Sequence, residues 1–377
     1  MIRNIRFSIL PGLSSFICLL FLSFFILSCQ KSVRVVNPPV NPPPDSVTYN
    51  HGVFVINEGN FNSGNASVTF LSESNSNLIV QDLFNQVNKR NLGDVAEEMK
   101  IFNGLGFIVV NNSNTVEVVS LTTFKSVASI KNGLNSPRNI EIIDSTKAYV
   151  TNLLKDISVV SLKTFSVTGS IKNPYWTEGM IRYKNLVFVS CIGGYTEPNS
   201  KRSAKILIID TRSDKIVDSI QSGKEPLGIV IDRKNKVWVL CTGGYDNFEA
   251  PSLLMMDPEL MVVEKTFHFP ATTLIPSRLC INGTGDTLYF LYNGVYQMPV
   301  SSPALPDQPL IPSGSHVFYG LDVHPVNGNV FVSDAIDFVQ NGVVYRYNQA
   351  NGLELKHYPT GRIPGSFSFT DLPPGSR

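Results

Sequence analysis

Seven short apolar runs recur along the chain, at residues 53–57, 107–111, 148–152, 187–191, 237–241, 288–292 and 330–334. Each is only five residues long and rich in Val, Phe and Tyr, which suits a buried strand better than a helix. A turn leads into the strand before each run, often through proline, as at Pro137, Pro226 and Pro276. After each run comes an alternating apolar strand, such as 156–162 or 204–210, and then a more polar one, such as 215–220. Turn-forming clusters at Asp232-Arg-Lys-Asn235 and Asn282-Gly-Thr-Gly-Asp286 punctuate the pattern. Four strands per repeat, called A to D from a central channel outward, recur at intervals of about 39 to 54 residues. This spacing predicts an all-β fold, a seven-bladed β-propeller of four-stranded blades.

The two ends of the pattern complement each other. Residues 52–57 open the domain as a B strand with no A strand before them, while 363–370 have the proline-led A-strand form. Pairing the C-terminal strand with the N-terminal blade would close the ring and remove two sheet edges that otherwise invite aggregation.

One repeat carries a family resemblance. Tyr149-Val150-Thr151-Asn152, followed by Ile157-Ser-Val-Val160 and Val167-Thr-Gly-Ser-Ile171, resembles the Tyr-Val-Thr-Asn (YncE-like) repeat of bacterial surface-layer and secreted propellers. The match is literal in the third repeat and degenerate in the others, with spacing maintained over residues 52–370.

Ahead of the repeats, residues 1–28 read as an export signal: Arg3 and Arg6 precede an apolar run from Phe7 to Leu27. Ile26-Leu27-Ser28-Cys29 resembles a bacterial lipobox, which implies lipidation of Cys29. The alternative is a permanent membrane-spanning helix, since the run is near spanning length. Residues 29–50 then form a tether, with Asn37-Pro-Pro-Val-Asn-Pro-Pro-Pro44 favouring extended polyproline II, and 51–377 form the propeller. The expected location is the cell envelope, as an outer-membrane lipoprotein. Gln30, Lys31 and Ser32 lack the acidic character of some surface-exported lipoproteins, so the leaflet stays open.

Charge and cysteines narrow the chemistry. The formal net charge of +1 becomes −1 once Arg3 and Arg6 are set aside, leaving no basic excess for nucleic acid. Cys191, Cys241 and Cys280 are an odd remainder, expected as buried free thiols rather than a disulfide framework.

A propeller gathers its D–A and B–C loops at one mouth of the channel, and candidate ligand-binding residues cluster there. The B–C loops supply Glu58, Phe61, Tyr195, Arg202, Tyr245, Asp246 and Phe248, with Asp337 and Phe338 in the seventh repeat. The D–A loops supply Arg138, Tyr175, Trp176, Glu178, Arg278, His316, Tyr319 and Arg362. Large aromatics and hydrogen-bonding groups on loops held by rigid strands are the usual construction of a binding site. The repeated Gly-Gly-Tyr at 193–195 and 243–245 reads either as a tight exit turn or as a ligand contact. Trp238 lies within a B strand and is expected in the core, whereas Trp176 is expected in a polar turn. Glu97, Glu98 and Glu178 fall where A strands begin, and are expected as hydrated channel carboxylates.

Catalytic signatures are scarce. The five histidines are unpaired at metal-ligand spacing, and neither a Gly-x-Ser-x-Gly elbow nor a phosphate loop occurs. The expectation is a monomeric binding protein without metal or cofactor, not an enzyme. Lipid anchor, proline tether and seven blades together resemble the propeller lipoproteins of TonB-dependent uptake. That resemblance implies a membrane partner barrel and a corrinoid such as cobalamin as ligand. A scaffold propeller without small ligand, or a lactonase-type hydrolase using a channel metal, are the alternatives.

Overall fold

The computed structural model describes residues 49–75, 77–154, 156–193, 204–244 and 249–371. Seven four-stranded antiparallel sheets form a β-propeller. From the channel outward, blade 2 comprises Ala96–Phe102, Leu105–Val110, Thr115–Ser120 and Ser126–Ile130, and blade 3 Pro137–Ile142, Lys147–Asn152, Ile157–Ser161 and Ser166–Ile171. Blade 4 comprises Trp176–Tyr183, Leu186–Ile192, Lys205–Asp210 and Lys215–Gln221. Blade 5 comprises Pro226–Ile231, Val237–Cys241, Ser252–Asp257 and Val262–His268. Blade 6 comprises Ser277–Ile281, Thr287–Leu291, Gly294–Pro299 and Ile311–Pro312; blade 7 comprises Phe318–Val323, Val330–Asp334, Asn341–Tyr347 and Glu354–Arg362. All seven recurrent runs fall on B strands, which are covered on both faces by neighbouring blades and so read as continuous apolar segments. Outer strands alternate instead: Lys215–Gln221 exposes most of its residues.

The core lies between blades. Phe107 and Val109 of blade 2 pack with Ile140, Ala148 and Val150 of blade 3, and equivalent clusters recur around the ring. Trp238 is fully buried and its indole N–H donates to Asp232 at 2.9 Å. Cys191, Cys241 and Cys280 are buried free thiols.

Blade 1 is composite. The C-terminal Pro364–Phe369 is its innermost strand and pairs antiparallel with Gly52–Asn57, with Val53 opposite Phe369 and Val55 opposite Phe367. Ser67–Ser72 and Ile79–Val80 complete the sheet. The seam is sealed by Val53, Val55 and Leu71 of blade 1 against Phe331, Val344 and Tyr358 of blade 7, with Phe367 and Phe369 between them. Polar clasps flank it: His51 Nδ1 lies 3.0 Å from Asp371, and His324 Nε2 lies 2.8 Å from Glu73.

Two local features depart from the sequence expectation. A short helix, Leu83–Asn88, occupies the connection from blade 1 to blade 2 and buries Leu83 and Phe84; six residues are too few for a helical period to declare itself. Trp176 is not in a turn. It is the first residue of blade 4's inner strand, half-buried and paired with Ile192, because the chain straightens one residue before the register shift that follows.

Candidate functional site

Every inner strand carries a β-bulge near its start. The register against the B strand shifts between Ala96 and Glu98, Pro137 and Ile140, Thr177 and Met180, Pro226 and Gly228, Ser277 and Cys280, and Phe318 and Leu321. In blade 1 the shift falls opposite Ile56 and Asn57, between Ser366 and Pro364. A bulge re-aims the side chain of its extra residue out of the ladder. At equivalent positions the seven bulges present Glu97, Arg138, Glu178, Leu227, Arg278, Tyr319 and Gly365. The glycine has a specific role: a Cβ there would lie 2.3 Å from the Oε1 atom of Glu58. The space over Gly365 thus admits Glu58 from the B–C loop of its own blade.

These side chains form two linked pairings. Arg138 Nε donates to both carboxylate oxygens of Glu178, at 3.1 and 2.9 Å, while its Nη1 donates to Glu97. Across the mouth, Arg278 Nη2 donates to Glu58 Oε1 at 3.1 Å and Nε to the Tyr319 carbonyl at 3.0 Å. Tyr319 donates its hydroxyl to Glu58 Oε2 at 2.8 Å, its ring lies 4.6 Å below the Arg278 guanidinium, and Phe338 meets the same ring edge-on. One layer deeper, Glu98 accepts from the Ile140 amide at 2.5 Å and from Asn139 Nδ2 at 2.7 Å, locking blade 2 to blade 3.

Glu97 and Glu98 are therefore not hydrated channel carboxylates. Glu97 has a side chain only 9% exposed. Burial pushes its acid up to about 8, with Glu58 and Glu178 acting in the same sense against Arg138 and Arg278. Burial likewise raises Glu98 to about 7, opposed by Lys100 and by its hydrogen bonds.

Beside the ring, a hollow of about 490 Å³ opens toward blades 4 to 6. Arg138, Glu178, Glu225, Arg278 and Tyr319 line one part of it, and Met180, Ile192, Leu227, Ile229, Leu279 and Phe318 supply an apolar wall. Gly179 and Gly228 bring no side chain into this space; a Cβ on Gly228 would stand 2.6 Å from that of Leu279. Asn139, which also lines the hollow, leaves its buried Oδ1 without a hydrogen-bond partner. A larger hollow of about 680 Å³ lies at the A–B turns, including Asn103 and Asp144. Its cations are engaged locally: Lys100 with Glu141 at 3.2 Å, and Arg182 with the carbonyls of Ile143 and Lys184.

Among the residues expected from sequence, Glu58, Arg138, Glu178, Arg278 and Tyr319 come together in the ring. Others do not join it. Phe61 stands exposed in the B–C loop of blade 1. Tyr175 packs against the core between blades 3 and 4. His316 is held by Asp334 at 2.8 Å and stacks on Phe318, so it belongs to the packing of blade 7. Arg362 ends the outer strand of blade 7 and donates to the Val339 carbonyl at 2.8 Å. Tyr195, Arg202, Tyr245, Asp246 and Phe248 lie outside the described residues, as do Cys29, the signal and nearly all of the tether. Sequence reasoning placed Glu97 near the channel without assigning it to the site, and overlooked Glu225 and Gly365. Aligning the inner strands on the residue after each opening proline, alanine or serine would have found Glu97 and Gly365.

Among the described residues, Glu73, His324 and Asp371 have metal-ligand spacing. His324 Nδ1, however, accepts from the amides of Val326 and Asn327 at 3.1 and 3.2 Å, so Nε2 carries the proton and donates it to Glu73. The histidine serves as a clasp across the closure seam.

Fold and ring together define a closed seven-bladed propeller with a polar mouth built from its inner-strand bulges. Residues 51–363 match the family described as Domain of unknown function (DUF5074), and the chain belongs to that family. No curated protein matches it. Similar solved structures include the hydrazine synthase of Kuenenia stuttgartiensis, at 15% identity and a TM-score of 0.53 over 70% of this chain and 85% of that one. Streptogramin B lyase gives 12% identity and a TM-score of 0.55 over 72% and 86%. The computationally designed Ika8 protein gives 9% and 0.55 over 87% and 95%. At these identities the likeness is one of fold alone.

Proposed function

We propose that the protein is a ligand-capture propeller that binds at the mouth defined by Glu58, Glu97, Arg138, Glu178, Arg278 and Tyr319. The observation that carries the reading is the convergence of the bulge residues Arg138, Glu178, Leu227, Arg278 and Tyr319, from five separate blades, on one hollow. Rigid inner strands hold these groups, so little ordering is needed when a ligand arrives. The alternation of carboxylates and guanidiniums suits a ligand rimmed with amides, whose N–H groups meet the former and carbonyls the latter. A corrinoid has that rim and an apolar body, and remains the sharpest candidate. In this reading lipidation at Cys29 holds the propeller at the outer membrane, and a TonB-dependent barrel receives the ligand. The chain enters the propeller at Gly52, the end of its strand remote from Glu58, which leaves the mouth clear of the tether's attachment point.

A second reading has its own support. Phe61, Ile336, Phe338 and Val339 form exposed apolar points on the B–C loops of blades 1 and 7, with Phe61 67% and Val339 66% exposed. Asn60 Nδ2 donates to the Phe338 carbonyl at 2.5 Å and joins the two loops into one lip. Such a lip suits contact with a protein partner, whether the barrel of the first reading or an envelope scaffold. Against a hydrolase, the ring carboxylates Glu58, Glu97 and Glu178 already accept from a guanidinium or phenol, so a channel metal would have to displace Arg138 or Arg278.

The test is calorimetry with cyanocobalamin and cobinamide on the full chain in detergent. Saturable binding that weakens at least tenfold in Arg278→Ala supports capture at the mouth. Binding that Phe61→Ser or Val339→Ser removes, with Arg278→Ala neutral, moves the site to the lip.

A further inference from the structure

We infer that a separate hollow, astride the closure seam, is a binding site for a neutral saccharide. It encloses about 320 Å³ and is lined on one side by residues 63–67, Gln81 and Asp82 of blade 1, and on the other by Asn341, Gly361 and Arg362 of blade 7. Its floor is fixed. The Gly361 amide donates to the fully buried Asn57 at 3.1 Å, and Asn57 donates in turn to Ser67 Oγ at 3.2 Å and Thr69 Oγ1 at 3.1 Å. A Cβ on Gly361 would lie 2.5 Å from Ser67 Oγ, so only glycine lets the two blades approach this closely beneath the hollow. The blade 1 wall is braced as well: Asn65 Oδ1 accepts from the Asn60 amide at 2.7 Å, and Asn91 Nδ2 donates to the Gly64 carbonyl at 3.3 Å.

Above that braced frame, the lining keeps hydrogen-bonding capacity to spare. Among the described residues, the side chains of Ser63, Gln81 and Asn341 have no hydrogen-bond partner. Arg362 engages only its Nε, with the Val339 carbonyl, which leaves both Nη groups; the Asp82 carboxylate meets only the Asn85 amide. Asn341 stands opposite Arg362 in the strand pairing, so an amide and a guanidinium face the hollow's rim from adjacent strands. Asp82 and Arg362 are the charged residues of the lining, one of each sign, and the hollow therefore carries no net charge with which to recruit an ion. What suits it is a ligand of many neutral groups that each donate and accept. Vicinal hydroxyls have that character: one donates to a carboxylate or amide oxygen while its neighbour accepts from a guanidinium or amide N–H. Phe61, 67% exposed on the same loop as Ser63, supplies an aromatic face for the C–H side of a sugar ring.

The probes are the methyl glycosides of glucose, galactose, mannose and N-acetylglucosamine, with maltose and cellobiose, titrated into the full chain by saturation-transfer NMR; alanine serves as a zwitterion and inorganic phosphate as an anion. The expected result is saturable binding of at least one sugar with a dissociation constant of about 1 mM or tighter, and none of alanine or phosphate. The bound sugar should also raise the melting temperature, because the site joins the first and last blades and exists only in the closed ring. Asp82→Asn, which retains a side chain suited to the left-handed φ of 46° at that position, should weaken sugar binding roughly fivefold or more, as should Asn341→Ala and Phe61→Ala, with the melting temperature of the free protein unchanged. The inference is overturned if no sugar of the panel binds, if sugar binding is indifferent to all three substitutions, or if alanine or phosphate saturates the site instead. Each of those outcomes leaves the mouth reading standing, since the two hollows share no lining residue.

Discussion

Arg138 shows how much of the site turns on single residues. Its side chain is about one-quarter exposed and bridges two buried carboxylates contributed by the blades on either side. Truncation to alanine would leave Glu97 and Glu178 facing each other without a counter-charge, and is expected to cost about 3 kcal/mol in urea unfolding. Adding Glu97→Gln to that variant should recover part of the loss, a non-additivity that a double-mutant cycle measures. The acids raised by burial set the pH dependence. Glu97 at about 8, and Glu98 and Asp322 at about 7, each favour the folded state fully below their unfolded values and less as pH rises through their folded ones. The melting temperature should therefore fall between about pH 5 and about pH 8.5, and Glu97→Gln should flatten the slope. A wild-type profile rising over that interval would contradict the assignment. The residues of the family-like repeat have a different task. Asn152 is fully buried and accepts from the Asn135 amide while donating to Asp156 and Ser158; Thr151 donates to the Glu178 carbonyl; Tyr149 donates to Asp214. The Tyr-Val-Thr-Asn signature thus describes how blades are stitched together, which is why it was legible for fold and mute on ligand.

Inner strands are where sequence and site part company. Their bulges are invisible to a two-residue period, because the extra residue reads as a lapse in alternation rather than as a feature. Glu58, Arg138, Glu178, Arg278 and Tyr319 were legible as polar or aromatic residues near loop boundaries. Their partnership required register: Gly365 matters only because the bulge at blade 1 would otherwise push a side chain into Glu58. Gly365→Ala is expected to displace the flexible end of Glu58 from Arg278 and Tyr319, costing no more than about 2 kcal/mol in stability. It should still weaken ligand binding. Comparing its urea midpoint with its calorimetric affinity checks that split. The aromatic candidates Tyr175 and His316 failed for a related reason, since a large ring near a blade edge can pack inward as readily as it can face a ligand.

At the scale of the whole molecule, closure decides whether the ring exists at all. Pro364–Phe369 supplies the inner strand of blade 1, and its serines reach the next blade, Ser366 donating to the Glu97 carbonyl and Ser368 to that of Met99. Removing residues 363–377 would expose both Gly52–Asn57 and the inner strand of blade 2, and with them the backbone that carries Glu97. Such a truncation should lose cooperative thermal unfolding and run as aggregate on a sizing column. A monodisperse, cooperatively melting truncation would contradict closure by this strand. Repeat spacing made seven blades and terminal closure readable from the chain, because each blade repeats the same burial problem. The mouth was less readable, since it is made of residues that share no sequence neighbourhood and meet only when the ring closes.

The most direct measurement is the affinity of the full chain for cyanocobalamin and cobinamide, determined in parallel for wild type, Arg278→Ala and Glu178→Gln. Saturable binding of at least one ligand by wild type, reduced tenfold or more in both ring variants with their folds intact, is the predicted result. Equal binding by wild type and both variants would contradict a ligand site at the mouth.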